Sequence, residues 1–253
     1  MVMENSFICD DLKFFVDMLK SLPVSESLIL SEKGSYCVST GTYAENWVYF
    51  PERVTSPEKV NEAVHFFGER GEAFMWPVYD GGTEILEGAG LVYAGNLTAM
   101  CFSPKKFSDG KVNTHITIER VLSREMADVW ADTSYRGFGG EGDTPEEYRR
   151  FAGALAADRD KKVSLSAAKI GGEYAGTFLV TDEPEMTGVY YFSTVPEFRR
   201  QGIASAMMNE ICRLSAGKKI VLQSSPMGRD FYLAFGFTEL FKIPVYSNDG
   251  DIL

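Results

Sequence analysis

The stretch V-Y-Y-F-S-T-V-P-E-F-R-R-Q-G-I-A-S-A-M-M, Val189 to Met208, decides the fold. β-Branched and aromatic residues run to Val195, and Pro196, with no N–H to give to a ladder, closes a strand there. Arg199-Arg200-Gln201-Gly202 form a short polar turn, after which Ile203, Met207, Ile211 and Leu214 recur at helical spacing. The helix therefore begins at a glycine. A helix start leaves several backbone N–H groups without intrahelical partners, and its dipole favours negative charge. Gly202 removes a side chain that would hold an anion away, Ala204 is small, and Arg199 and Arg200 add positive charge. Strand, turn and helix so arranged make an anion cradle suited to a pyrophosphate. On spacing alone, a surface turn with incidental arginines stays open as the other reading.

Outward from this segment, three strands joined by turns are expected at Lys162 to Ile170, Tyr174 to Thr181 and Gly188 to Val195. Helix, strand, helix and strand follow at Ile203 to Leu214, Lys219 to Gln223, Asp230 to Phe235 and Glu239 to Val245. Upstream, H-I-T-I-E-R-V alternates like a strand, and helices are expected at Ser123 to Thr133 and Thr144 to Ala157, the second opened by the cap signature Thr144-Pro145-Glu146-Glu147. A glycine-rich loop, Tyr135 to Asp143, lies between them. The amino-terminal part reads as a helix around Leu12 to Leu19, strands at Ser27 to Ser31, Gly34 to Thr40 and Asn46 to Phe50, and a helix capped by Ser56 with Pro57 in its first turn. A strand at Phe74 to Val78, a short helix at Thr83 to Glu87 and a strand pair within Gly90 to Phe102 complete it. This order predicts an α/β (α+β) protein with a mixed, mostly antiparallel sheet flanked by helices. Ser103 to Asn113 is polar and carries Pro and Gly, so it is the expected linker, dividing the chain into residues 1–108 and 109–253.

The two parts echo each other. A shift of 146 positions lays Arg53 on Arg199, Gly71 on Gly217, Gly90 on Gly236 and the strand Phe74 to Val78 on Ile220 to Ser224. Strand, turn and helix order agree over the same offset, which predicts an internal duplication. The same shift places Ser56 at Gly202, Glu58 at Ala204 and Leu86 at Tyr232. A glutamate in a pyrophosphate cradle is electrostatically wrong. The first copy is therefore expected to be a supporting domain, with Trp76 or Tyr79 available to an acceptor cleft.

Composition narrows the function classes. The formal net charge is −11, which repels a phosphate backbone and argues against nucleic acid as partner. No apolar run reaches the length of a bilayer span, and the amino terminus has no basic region followed by an apolar stretch, so a cytoplasmic protein without membrane contact is expected. Cys9, Cys37, Cys101 and Cys212 are scattered and read as reduced thiols. His65 and His115 have no ligand-spaced companions, so no metal is expected.

The string R-R-Q-G-I-A, preceded by T-V-P, resembles the [RQ]-x-x-G-x-[GA] signature of the GNAT superfamily of N-acyltransferases. A second landmark, L-Q-S-S-P-M-G-R-D-F-Y-L-A-F-G-F from Leu222 to Phe237, resembles the strand, helix and Y-x-x-x-G-F block that closes that fold. The resemblance covers roughly Asn113 to Val245, with a smaller, degenerate, related domain ahead of it. It implies an N-acetyltransferase moving an acetyl group from acetyl-CoA to an amine by direct attack, with no metal. It further implies that the backbone of Ser193, Thr194 and Val195 pairs with the pantetheine arm. Arg199, Arg200, Gln201, Gly202, Ile203 and Ala204 would hold the pyrophosphate, and Ser225 would stand where relatives carry an asparagine touching the cofactor. Tyr232 would protonate the leaving thiolate, and a main-chain N–H of the central strand would stabilise the oxyanion. Tyr190, Tyr191, a water chain, Glu141, Asp143 or Glu183 are the candidates for general base. The acceptor is a small-molecule amine or a protein amino group, and a homodimer is compatible with everything read here. The alternative is a catalytically idle acyl-CoA-binding or scaffold protein.

Overall fold

The computed structural model describes residues 2–32, 34–42, 45–104, 113–157, 163–250 and 252. Most of the expected linker, the boundary at 108 and the expected strand start at Lys162 lie outside the described residues. Along the chain run α1 (Val2–Ser21), β1 (Glu26–Ser31), β2 (Ser35–Ser39), β3 (Trp47–Tyr49), α2 (Pro57–Gly68), β4 (Trp76–Pro77), α3 (Thr83–Gly88) and β5 (Val92–Phe102). They are followed by β6 (Ile116–Arg120), α4 (Arg124–Gly137), α5 (Glu146–Ala156), β7 (Val163–Ile170), β8 (Glu173–Thr181) and β9 (Met186–Thr194). The series ends with α6 (Ile203–Leu214), β10 (Lys219–Ser224), α7 (Arg229–Phe235) and β11 (Thr238–Ser247). Two units form by contact. The first holds residues 1–100, 223–234 and 239–253, and the second holds 101–222 and 235–238.

In the first unit, α1 buries Ile8, Leu12, Phe15, Val16 and Leu19, a stripe at helical spacing. The sheet β1-β2-β3 is antiparallel. Its core gathers Val60, Phe67, Phe74, Trp76, Leu86 and Tyr246, with Phe67 and Phe74 stacked at 4.4 Å. Each such side chain contributes about 1.5–3 kcal/mol on burial. β11 pairs antiparallel with β4, Val245 opposite Pro77 and Tyr246 opposite Trp76, and lies between β4 and β5. The last strand of the chain thus completes the amino-terminal unit.

In the second unit, β6, β7, β8 and β9 form successive antiparallel pairs, and β10 joins β9 in parallel. Strand β8 carries Gly176 where α6 crosses. A Cβ there would stand 2.8 Å from the Ser193 carbonyl oxygen, 3.0 Å from Met207 Cε and 3.1 Å from Ile203 Cγ2, so only glycine lets the helix approach. On α4, Trp130 is fully buried, with its ring 5.3 Å from that of Tyr191.

Element by element, the shift of 146 carries α2 (Pro57–Gly68) onto α6 (Ile203–Leu214), and α3 and β5 fall on α7 and β11. Upstream of the helices the offset changes. Trp47 bridges Met75 in parallel, whereas Val221, the counterpart of Met75, faces Gly188, only 141 positions from Trp47. The carboxy-terminal copy has five more residues between its parallel strand pair and α6, so the offset of 146 holds from the helices onward and not in the strand ahead of them. Other expectations shift too. Val92–Phe102 is one strand rather than a pair, α4 continues to Gly137, and α5 starts at Glu146 with no side-chain cap bond at Pro145.

Candidate active site

Three features of the second unit meet at the end of β9. The first is a bulge. Thr177 faces Ser193 and Leu179 faces Tyr190, so β9 spends an extra residue against Phe178, and Tyr191 takes φ 50°, a strained left-handed value for a tyrosine. Thr177 Oγ1 donates to the Tyr191 carbonyl oxygen at 3.0 Å and lies 3.0 Å from Ser193 Oγ, both residues being buried. Gly137, at the end of α4, leaves room for the Ser193 hydroxyl: a Cβ there would stand 2.2 Å from Ser193 Oγ.

The second feature is the turn. Arg200 (φ 65°) and Gly202 (φ 87°) are both left-handed, two residues apart, which turns successive N–H groups to one side as a nest. Gly202 is required for its φ: among the described residues an added Cβ would meet only Asn113 Cβ, at 3.9 Å. The third feature is the start of α6, where Gly202 caps without a side-chain bond and no acidic residue stands in the first turn. This cradle suits a diphosphate: backbone donors converge, and no described residue fills the space over Gly202.

The arginines split in role. Arg199 Nε donates to the Thr194 carbonyl at 3.2 Å and its Nη2 to the Gly137 carbonyl at 3.5 Å, so it ties the strand end to the carboxyl end of α4, where a cation suits the dipole. Asn113, read from sequence as linker, donates from Nδ2 to the Gln201 carbonyl at 3.3 Å and braces the turn from outside. Neither it nor Thr177 carries a signal in sequence, because their roles depend on distant segments meeting.

Ser193, Thr194, Val195 and Arg199 through Ala204 are brought together. Val195 N–H donates to the Ala175 carbonyl at 2.9 Å, so one edge of the strand end belongs to β8. The parallel register with β10 covers Met186 to Gly188, and β9 runs on to Thr194. Ser225 and Tyr232 stand in the first unit. The exposed Ser225 accepts at its carbonyl from Ser224 Oγ at 2.8 Å and from Gly228 N–H at 3.2 Å. Tyr232 is buried against Gly228, where a Cβ would stand 3.1 Å from Tyr232 Cε2, and burial pushes its phenol well above the ordinary value. The loop Tyr135 to Asp143 folds back on itself: Tyr135 belongs to α4, its hydroxyl donates to the Glu141 carbonyl at 3.3 Å, and its ring covers Gly140.

The amino-terminal copy closes its own cradle. Ser56 caps α2 by accepting from Lys59 N–H at 3.3 Å, and its hydroxyl donates to Glu58 Oε2 at 2.8 Å. Hydrogen bonds from its own backbone N–H and from Ser56 hold the Glu58 carboxyl below the usual range. A carboxylate of the chain occupies this helix start.

Residues 157–239 match the model of the acetyltransferase (GNAT) domain. The chain carries a GNAT domain. Such domains are, as a class, acyl-CoA-dependent acyltransferases, and the matched residues contain both the nested turn and Tyr232. The GNAT fold extends beyond that stretch. A GCN5-related N-acetyltransferase from Kribbella flavida aligns over 95% of this chain and 93% of its own at TM-score 0.60 and 14% identity. A functionally unknown conserved protein from Staphylococcus epidermidis aligns over 92% and 96% at TM-score 0.64 and 12% identity. A tandem GNAT protein from the clavulanic acid biosynthesis pathway aligns over 93% and 86% at TM-score 0.61 and 11% identity. Among curated proteins nothing matches. Among the described residues no group of three or more His, Cys, Asp or Glu could hold a metal ion, and no helix is long and apolar enough to cross a membrane.

Proposed function

We propose that the chain is an N-acetyltransferase that moves the acetyl group of acetyl-CoA onto a small-molecule amine or a protein amino group. Residues 109–253 carry the reaction, and residues 1–108 are a degenerate GNAT-like supporting half. The observation that carries this reading is the nested, uncapped start of α6, set against the self-capped start of α2 in the same fold.

In this reading the amides of Arg200 through Ala204 hold the pyrophosphate beside Arg199, whose own N–H is taken by the Pro196 carbonyl at 3.2 Å; the backbone of Ser193 through Val195 receives the pantetheine arm, and Ser225 borders it. Acetyl-CoA supplies an electrophilic thioester carbonyl. The neutral amine attacks, so that a C–N bond forms and the C–S bond breaks, and the surplus amine proton leaves to solvent. A main-chain N–H at the bulge takes the charge developing on the carbonyl oxygen. Tyr232 gives its phenolic proton to the departing thiolate and recovers one from water. Its raised pKa keeps that proton in place at neutral pH. No disulfide joins Cys9, Cys37, Cys101 or Cys212, which fits a reducing compartment such as the cytoplasm. A net charge of −11 draws cationic acceptors.

Tyr232→Phe tests the assignment. The expected result is a fall in kcat of about 10²–10⁴-fold with acetyl-CoA affinity unchanged. Full retention of acetylation removes Tyr232 from the mechanism. Acetyl-CoA binding by a wild type that acetylates no amine assigns the idle-binder role instead.

A further inference from the structure

We propose that Thr177 is a positioning residue: its hydroxyl, braced by Ser193, sets the orientation of the Tyr191–Phe192 peptide, and with it the main-chain donor of the proposed acyl transfer. The inference rests on that proposed reaction and deepens it. Tyr191 sits at φ 50°, a conformation that costs energy and persists only where its surroundings hold it. Two contacts do so. The Tyr191 ring lies 5.3 Å from Trp130 and 6.0 Å from Phe151, which fixes the side chain. Thr177 Oγ1 donates to the Tyr191 carbonyl oxygen at 3.0 Å, which fixes the peptide plane that follows. A trans peptide is planar, with C=O and N–H pointing in opposite directions. A Tyr191 carbonyl held toward β8 by Thr177 therefore turns the Phe192 N–H away from β8.

The hydroxyl that does this is itself held. Thr177 and Ser193 hydroxyls lie 3.0 Å apart, and each hydroxyl has one proton. With the Thr177 proton committed to the carbonyl, Ser193 Oγ is the donor in the second bond. Gly137 packs on Ser193 with no space for a Cβ, so the serine has little freedom to swing away. Thr177, fully buried, cannot exchange these bonds for water. Valine matches threonine in shape and lacks only the hydroxyl, whereas serine keeps the hydroxyl and loses a methyl.

The test compares Thr177→Val and Thr177→Ser with the wild type, using acetyl-CoA and a fixed acceptor panel of spermidine, glucosamine, lysine and a short peptide with a free amino terminus. Thiol release gives kcat and KM, calorimetry gives the acetyl-CoA affinity, and thermal melting reports the fold. Thr177→Val is expected to lower kcat by about 10²-fold, the scale of a 1 Å misplacement, with acetyl-CoA affinity within about twofold of wild type. Thr177→Ser is expected to restore most of kcat. A folded Thr177→Val with wild-type kcat overturns the proposal, as does a Thr177→Ser that falls as far as the valine variant. A second measurement needs no variant: the Phe192 amide resonance of the wild type, followed during titration with acetyl-CoA, is expected to shift. A Phe192 amide that stays fixed while binding occurs overturns the proposal. A wild type that binds but acetylates none of the panel, with the Phe192 amide shifting, rejects the proposed reaction on these acceptors and leaves the Thr177 geometry supported.

Discussion

Ala204→Glu copies into α6 what the amino-terminal copy already does in α2, and its two effects run in opposite directions. Ala204 is partly exposed in the first turn of α6, at the position equivalent to Glu58, so a longer side chain has room. A carboxylate there meets unpaired N–H groups and the positive end of the dipole, as Glu58 does, and stability stays within about 1 kcal/mol of wild type. The diphosphate is repelled. At about 4 Å a like-charge pair costs about 1 kcal/mol in bulk water and about 4 kcal/mol near a protein surface, a loss of roughly fivefold to a thousandfold in affinity per pair. Acetyl-CoA titrated by calorimetry into wild type and variant, with urea melts run beside, reads both effects. At about 1 M salt the Debye length is near 3 Å, so part of the lost affinity returns if the effect is charge and none if it is steric. Binding unchanged within twofold, with the variant folded, refutes the placement of the pyrophosphate at α6. A destabilisation of several kcal/mol refutes the equivalence with α2.

Alkaline pH is expected to unfold the protein from the tyrosine range upward. Burial raises the phenols of Tyr36, Tyr49, Tyr79 and Tyr232 in the folded state, so their stabilisation is complete below the ordinary tyrosine pKa near 10 and is lost as pH rises above it. For Tyr232 the slope is about 1.4 kcal/mol per pH unit, and urea melts at pH 8 to 11 measure it; a flat profile above pH 10 contradicts the burial of these rings. Deleting residues 238–253 removes the strand that pairs with Trp76 and Pro77, and takes Tyr246 out of the core. Amide exchange in α2 and the fluorescence of Trp76 are expected to report an opened amino-terminal unit, and native protection in α2 contradicts the pairing.

Local chemistry made part of this legible in sequence. The Ser56 cap and the α6 stripe are each dictated by a few neighbouring residues: Ser56 caps α2, and Ile203, Met207 and Ile211 are buried as expected, whereas Leu214, in the last turn, is exposed. The 146-residue repeat is visible for the same reason, because helix caps and turn glycines keep their spacing while core residues drift. What sequence could not show depends on segments far apart in the chain. The arginines of the turn look alike in sequence, but the Arg199 side chain reaches the Thr194 and Gly137 carbonyls, a tie that no spacing announces. Thr177 reads as one more β-branched strand residue until β9 bulges opposite it. Five extra residues ahead of α6 break the offset that the helices keep, and only strand register reveals them.

That insertion also separates the two copies functionally. In the amino-terminal half the strand β3 ends at Tyr49, soon after its parallel bridge, whereas β9 continues past Gly188 through the bulge to Thr194. The bulge, the serine beneath Gly137 and the extended strand end all lie in residues that the shorter copy lacks or spaces differently. Loss of the cradle at Glu58 is thus accompanied by a shorter approach to it, so restoring the helix start alone, by Glu58→Ala with Ser56→Gly, leaves no strand end beside it to receive a pantetheine arm. The amino-terminal copy keeps a different task. Its core encloses Tyr246, its strand β4 pairs with β11, and Tyr246 donates to Glu87 Oε1 at 2.8 Å. The strand that follows the Y-x-x-x-G-F block folds onto that half, so a copy without a cradle still anchors the segment that carries Tyr232.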